Sequence, residues 1–172
     1  CSCLPETNSD DNLQEDDVPR ILIIEDTTEV ARYMMRQLNP KYHYIFAANG
    51  CEGFEKAIQT VPDIIITDIM MPCMNGFELC KAIRESELLN HIPVIMVTAK
   101  ASHEDRMRGL ESGADAYIEK PFSLQYLEAC IKNLLELRLQ LRQKFSQMPT
   151  VSINSIAANQ NDKVFLEKMN HL

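Results

Sequence analysis

Polar side chains that could do chemistry together stand directly after short apolar segments at four places in the chain. They are Glu25 and Asp26, Asp68, Thr98 and Lys120. Three carboxylates at one point would repel each other, so such a cluster needs a cation to offset its charge. Oxygen ligands suit a hard divalent ion, and Mg²⁺ is the usual ion where phosphate chemistry occurs. The pattern therefore indicates a magnesium site, provided that the fold brings the four places together.

Phosphoryl transfer fits this set of residues because it needs a nucleophile, charge neutralisation and little else. A carboxylate can be the nucleophile and form an aspartyl phosphate, and Asp68 is placed best, at the end of the central predicted strand. Lys120 would supply a second positive charge, and Thr98 could donate a hydrogen bond to a phosphoryl oxygen. The alternative is that these acids are ordinary solvated loop residues, which their shared position at strand ends argues against.

The elements that must position these residues alternate between strand and helix five times. Strands are predicted at 20–24, 44–47, 63–67, 93–98 and 116–119, and helices at 27–38, 51–60, 76–84, 103–112 and 124–145, with Thr27 or Thr28 and Ser123 as caps. This alternation indicates an α/β fold, a parallel sheet with helices on both faces. The ligand site of such a sheet lies beyond the carboxyl ends of its strands, where the polar residues above stand.

Four segments, in order, resemble the response regulator receiver (CheY-like) family over about residues 20–137. They are Ile21–Asp26, Asp68–Gly76, Val97–Ala99 and Gly113–Phe122. The resemblance implies a doubly wound, flavodoxin-like sheet of five parallel strands in the order 2-1-3-4-5, with five helices of which the last is extended. It also implies a phosphorelay function, in which Asp68 accepts a phosphoryl group from a phosphohistidine of a histidine kinase or phosphotransfer domain. A receiver of this kind is not a separate enzyme.

The family's magnesium ligands can be carried over to this chain residue by residue. The resemblance implies that Asp26 and Asp68 bind Mg²⁺ directly, with Mn²⁺ as a substitute, and that Glu25 binds it through water. The backbone carbonyl of Met70 matches the third protein ligand. Because Met70 is apolar and would not orient an attacking water, we expect slow self-dephosphorylation. Lys100 occupies a second position that tunes the phosphoryl lifetime in this family.

The family's switch residues also have counterparts here. Thr98 and Tyr117 match the pair in which the threonine moves toward the phosphoryl group and the aromatic ring turns inward behind it. Lys120 matches the family's lysine, and the resemblance implies a cis peptide bond before Pro121. Gly76 would free the backbone near the site and begin the next helix. The signal would leave through the face of helix 4, strand 5 and helix 5 toward an output that regulates transcription.

The charge of the chain is concentrated at its start. The net charge is −8, and residues 1–19 hold six acids and no lysine or arginine, which leaves the rest nearly neutral with 19 acids against 17 bases. We interpret residues 1–19 as an acidic flexible linker and 20–137 as the receiver domain. A neutral domain does not favour nucleic-acid binding. No apolar run approaches the roughly 18 residues of a membrane span, and no signal peptide is evident, so a cytoplasmic location is expected, even for a membrane-anchored parent protein.

The six cysteines form no CxxC pair. We expect Cys1 and Cys3 to belong to the tail, and the others to be reduced thiols. Those others are Cys51, Cys73, Cys80 and Cys130.

The last predicted helix is longer than a helix needs to be in order to pack across the sheet. Its apolar positions step by three, four, three, seven and four, with Arg138 in the gap; they are Leu124, Leu127, Ile131, Leu134, Leu141 and Phe145. Residues 138–148 could extend the helix into a coiled coil that forms a homodimer, or be a single linker helix. Residues 149–172 resemble the lead-in to an AraC-type helix-turn-helix domain of hybrid two-component sensors, so the chain looks like a part of a longer regulator.

Two other functions compete with the phosphorylated module. A haloacid-dehalogenase-like phosphatase also forms an aspartyl phosphate, but it needs a second acid two residues after the nucleophile, where this chain has Met70. A degenerate receiver that only docks a partner would lack one of Asp26, Asp68 or Lys120, and none is missing.

Overall fold

The computed structural model describes residues 18–99 and 102–147, which contain five strands and five helices. The strands are β1 (Arg20–Ile24), β2 (His43–Ala47), β3 (Ile64–Asp68), β4 (Val94–Thr98) and β5 (Ala116–Glu119). The helices are α1 (Thr28–Gln37), α2 (Gly50–Thr60), α3 (Gly76–Glu85), α4 (His103–Glu111) and α5 (Leu124–Gln147). Every predicted element is present, with ends shifted by no more than two residues.

The five strands form one parallel sheet in the order β2-β1-β3-β4-β5. This confirms the predicted fold and strand order. The chain divides into two compact units after Cys130, within α5, and the sheet with α1 to α4 belongs to the first unit. Because β1 and β3 are neighbours, with Ile24 opposite Thr67, the residues that follow these two strands leave the sheet side by side.

The core explains why the strands are apolar throughout. Residues 21–24, 64–66 and 94–97 are all buried, because both faces of the sheet are covered. Side-chain caps set where α2, α3 and α4 begin, as Ser123 does for α5: Asn49, Asn75 and Ser102 each accept a hydrogen bond from a backbone N–H in the first turn of the helix. Thr27 occupies the cap position of α1 as predicted, but its side chain makes no capping hydrogen bond.

The expectation of four reduced thiols was wrong for two of them. Cys51, in the first turn of α2, forms a disulfide with Cys73, in the loop between β3 and α3. Cys80 is free and buried, and Cys130 is free and half-buried. The sequence could not indicate this pairing, because 22 residues separate the two cysteines and only the packing of α2 against the loop brings them together.

The extended last helix is present, and Ser123 caps it by accepting a hydrogen bond from the N–H of Tyr126 at 3.1 Å. Among the described residues, no helix combines the length and the apolar character that crossing a bilayer requires. Residues 1–17 and 148–172, which include the tail cysteines and the predicted AraC-type lead-in, lie outside the described residues, as do Lys100 and the side chain of Phe145.

Candidate functional site

Three carboxylates meet at the carboxyl edge of the sheet. Glu25 and Asp26 follow β1, and Asp68 is the last residue of β3. One oxygen from each lies within 4.8 Å of the other two. Glu25 is buried, Asp68 is half-buried and Asp26 is exposed. Neighbouring parallel strands thus bring together the three acids that the sequence predicted to share one site.

Lys120 supplies the positive charge of the cluster. Its Nζ donates to Glu25 Oε2 at 3.0 Å and to Asp68 Oδ2 at 3.3 Å. It lies at the end of β5, where its own N–H donates to the carbonyl oxygen of Thr98 at 2.7 Å. The peptide bond between Lys120 and Pro121 is cis, as the resemblance implied. The lysine therefore joins the edge strand β5 to the ends of β1 and β3.

The net effect of burial and pairing is to raise the pKa of both Glu25 and Lys120. The shift disfavours the charged form of the glutamate and favours the charged form of the lysine. Burial raises the pKa of Glu25 above its ordinary value of 4.5, the hydrogen bond from Lys120 lowers it in part, and the nearby Asp68 charge raises it further. Burial by itself lowers the pKa of Lys120, but the hydrogen bond to Glu25 and the charges of Asp68 and Glu25 outweigh it, so this pKa lies above 10.5. The pair is thus built around a cation that stays charged.

The loop after β3 holds the Asp68 carboxylate in place. Asp68 Oδ1 accepts the N–H of Ile69 at 2.6 Å and that of Met70 at 3.4 Å. A β-carbon on Gly76 would lie 2.5 Å from the carbonyl oxygen of Asp68, so only glycine allows α3 to start this close to the strand. Asn75 and Glu78 form a reciprocal capping box at that start. The role predicted for Gly76 is therefore supported by the packing.

Thr98 and Tyr117 lie on adjacent strands beside the carboxylates. Thr98 is buried at the end of β4, and Tyr117 is half-buried in β5. Burial raises the pKa of Tyr117, and a hydrogen bond with the Thr98 side chain acts in the other direction. A β-carbon on Gly109 of α4 would come within 2.7 Å of the tyrosine ring, so the ring packs closely against that helix. The two predicted switch residues are therefore coupled to each other and to α4.

A small cavity opens next to the site. It has a volume of about 140 Å³. Its lining residues are Ile69, Met70, Asn75, Phe77, Thr98, Asp105 and Arg108. Met70 is 66% exposed, whereas Thr98 is buried at the inner side of this cavity. The sequence does not indicate that Asp105 and Arg108 lie here, because both are within α4 and the direction of their side chains depends on how that helix packs.

The donor set fits a hard divalent cation. Glu25, Asp26 and Asp68 offer only carboxylate oxygens, which is the chemistry that Mg²⁺ prefers. The Met70 backbone lies beside them, since its N–H donates to Asp68. The residues that the sequence proposed as ligands are thus neighbours, and Lys120 already balances part of their charge. Its ion pair with Glu25 was not foreseen, because the sequence indicated only a partner for the phosphoryl group.

The response regulator receiver domain profile matches residues 21–132 of this chain. A protein named histidine kinase P4, from Formosa agariphila, is 37% identical over 165 residues, which is 96% of this chain and 12% of that protein. The response regulator ArlR of Staphylococcus aureus is 34% identical over 143 residues, which is 83% of this chain and 61% of ArlR. The chain therefore spans only part of the length of these curated relatives.

Solved structures show the same architecture. A CheY-like receiver domain protein from Methanospirillum hungatei is 33% identical with a TM-score of 0.67, and the match covers 72% of this chain and 98% of that one. The receiver domain of a signal transduction histidine kinase from Syntrophus aciditrophicus is 34% identical with a TM-score of 0.65, covering 79% and 97%. The family profile, over residues 21–132, includes residues of all five strands and the three clustered carboxylates.

Proposed function

Because this chain belongs to the response regulator receiver domain family, we propose that Asp68 accepts a phosphoryl group from a phosphohistidine of a histidine kinase or phosphotransfer domain. The observation that carries the proposal is the position of Lys120 Nζ, which lies 3.3 Å from the Asp68 carboxylate and 3.0 Å from Glu25. A lysine held there by a second acid offers its charge to a phosphoryl group without having to move far.

In the proposed transfer, the carboxylate of Asp68 is the nucleophile. One carboxylate oxygen attacks phosphorus, the phosphorus–nitrogen bond of the phosphohistidine breaks, and the imidazole leaves with the bonding electrons and takes up a proton. Mg²⁺ held by Asp26 and Asp68, by Glu25 through water and by the Met70 carbonyl, with Mn²⁺ as a substitute, would neutralise charge on the phosphoryl oxygens. Lys120 adds charge from its position beside Asp68 and Glu25. The N–H groups of Ile69 and Met70 orient the nucleophile.

The signal leaves through Thr98 and Tyr117. The hydroxyl of Thr98 moves toward the new phosphoryl oxygens, and Tyr117, which already contacts both Thr98 and α4, follows it inward. Such a change alters the face formed by α4, β5 and α5, which would act on a transcriptional output such as an AraC-type domain in a cytoplasmic part of a hybrid sensor. Because Met70 cannot orient an attacking water, the phosphoryl group is expected to be lost slowly.

The test is direct phosphorylation of the full chain. Incubation with Mg²⁺ and acetyl phosphate should add one phosphoryl group by intact mass, and Asp68→Ala should add none. Glu111→Gln, which removes an exposed acid from α4, is the matched control and should be phosphorylated like the wild type. Absence of an adduct would favour a degenerate docking module, and continuous hydrolysis of phosphate esters would favour a phosphatase.

A further inference from the structure

The disulfide joins the phosphoacceptor loop to a neighbouring helix. Cys73 lies five residues after Asp68, and Cys51 lies in the first turn of α2, with the two Cα atoms 6.2 Å apart. The two segments also touch without the sulfur atoms: a β-carbon on Gly50 would lie 2.3 Å from the carbonyl oxygen of Met74. The start of α2 is therefore packed against the loop that holds Met70 and leads from Asp68 to α3.

The middle of the same loop has few backbone–backbone hydrogen bonds. Between Met71 and Asn75, the only backbone hydrogen bond that the described residues show inside it joins the Met74 N–H to the carbonyl oxygen of Pro72. Cys73 has a φ of 72°, a left-handed conformation that side-chain-bearing residues rarely adopt unless their surroundings hold them there. Cys73 is also exposed, whereas Cys51 is half-buried. The link thus restrains a segment with few backbone hydrogen bonds, and Cys73, one of its two cysteines, is exposed to solvent.

We propose that Cys51 and Cys73 form a reversible redox pair that sets how readily Asp68 is phosphorylated; this deepens, and rests on, the proposed function. Oxidation proceeds by exchange with a small disulfide such as oxidised glutathione. The Cys73 thiolate attacks one sulfur and releases one glutathione thiol, and Cys51 then attacks the mixed disulfide and releases the second. The two protein thiols lose two electrons and two protons, and the small disulfide gains them.

The oxidised form is the more reactive one. The link reduces the conformations open to residues 69–75, so less ordering remains to be done when the carboxylates and the Met70 carbonyl surround a cation and a phosphoryl group. Reduction releases the loop and makes each of those steps less favourable. Disulfides in reducing compartments are commonly transient and redox-sensing, which suits this use.

The experiment compares one protein in two redox states. The full chain is equilibrated with oxidised glutathione or with dithiothreitol, and phosphorylation by acetyl phosphate with Mg²⁺ is followed by intact mass. We expect the oxidised form to react at least about fivefold faster. Peptide mapping should find Cys51 linked to Cys73, and hydrogen exchange should show stronger protection of residues 69–75 in that form, both without phosphorylation.

Two variants sharpen the comparison. Cys51→Ser with Cys73→Ser should react at the rate of the reduced wild type under both conditions, and Cys130→Ser should keep the full redox response. Failure to form the link in oxidised glutathione overturns the inference, as do equal rates in the two redox forms once the link is mapped. If neither form gains a phosphoryl group, the proposed function itself falls, an outcome that differs from equal rates.

Discussion

Lys120 is the residue on which the charge balance of the site depends. It is the cation that hydrogen-bonds to two of the three clustered acids, and its side chain is 22% exposed against 5% for Glu25 and 12% for Asp68. Charges this well shielded from water interact more strongly than surface ion pairs do. Removing the lysine would leave the acids facing one another with nothing between them.

We expect Lys120→Gln to lower the free energy of unfolding by about 2 kcal/mol when no divalent cation is present, because it leaves partly buried carboxylates unpaired. Added Mg²⁺ should then stabilise the variant more than it stabilises the wild type. Urea unfolding in EDTA and in Mg²⁺ measures both effects. Lys41→Gln, an exposed lysine between α1 and β2, serves as control; equal loss in the two variants would contradict the interpretation.

The same ion pairs predict where in pH this stabilisation ends. The pKa of Lys120 is raised in the folded protein, so its contribution is complete below the ordinary value of 10.5 and is lost as pH rises through the higher folded value. The difference in unfolding free energy between wild type and Lys120→Gln should therefore be constant from neutral pH up to about pH 10.5 and shrink above it. A difference that already shrinks at neutral pH would rule out this origin.

Glu25 should control how the site responds to acid. Its pKa lies above 4.5, chiefly because it is buried, so on acidification it takes up a proton before an exposed glutamate would, and a protonated Glu25 contributes no charge to a cation. We expect Mg²⁺ affinity, measured by calorimetry across pH, to start falling above pH 4.5. In Glu25→Gln the affinity should be weaker and its decline should begin at lower pH; coinciding profiles would exclude Glu25.

For single residues, the sequence predicts which side chains lie close together only where the direction of the strands alone decides it. Acids that end parallel strands must meet at one edge, so the association of Asp26 with Asp68 could be predicted. The bond between Lys120 and Glu25 could not, since it joins residues 95 apart and depends on the direction of two side chains. The same holds for Cys51 and Cys73, which no spacing rule connects.

Among the elements, α3 is fixed by one arginine at the edge of the sheet opposite to the carboxylates. The guanidinium of Arg84 donates four hydrogen bonds, at 2.6 to 3.0 Å. Its acceptors are the backbone oxygens of Asn90, Ile92 and Gly113 and the carboxylate of Asp115, which also accepts the N–H of Val94. The arginine thus joins α3 to the start of β4 and to the connection between α4 and β5.

We expect Arg84→Lys to destabilise the protein by roughly 2 kcal/mol, because lysine keeps the charge but cannot reproduce the planar fork of donors. The rate of Asp68 phosphorylation should not change, since Arg84 lies at the far end of the sheet. Thermal unfolding and intact mass measure the two properties. Arg36→Lys, the same change at an exposed position of α1, should alter neither; a large loss of phosphorylation in Arg84→Lys would contradict the assignment.

Whole elements were easier to predict than the contacts between them. An apolar run such as Ile21–Ile24 has few alternatives to a strand buried on both faces. Asn75 and Gly76 are residue types typical of the start of a helix, here α3. The acceptors of Arg84 follow from loop conformations for which the sequence has no comparable signal. Helix ends therefore agreed within two residues, while the network that fixes the helices emerged only from the structure.

For the molecule as a whole, α5 offers the surface on which two copies could pair. Its predicted apolar seam is graded: Leu127 and Ile131 are fully buried, Leu134 is half-buried, and Leu141 is 49% exposed. Leu139, on the other side of the helix, is also exposed. An exposed leucine that continues the apolar seam beyond Arg138 is suited to contact the same seam of a second chain.

We expect beryllofluoride with Mg²⁺, a mimic of the phosphorylated state, to shift the full chain from monomer to dimer, as measured by light scattering. Leu141→Lys, within the seam, should prevent the shift, whereas Leu139→Lys, outside it, should not. If the mass stays that of a monomer in both states, α5 is a single linker helix.

The reach of Lys120 has a consequence for when this molecule can act. Glu25 and Asp26 follow the first strand, Asp68 ends the third and Lys120 follows the last, so the proposed site is complete only when the final strand has docked. A chain still emerging from the ribosome, or one in which β5 has detached from the sheet, would present Asp68 without Lys120 beside it. If Asp68 accepts a phosphoryl group as proposed, phosphorylation therefore requires that the edge strand β5 is already in place.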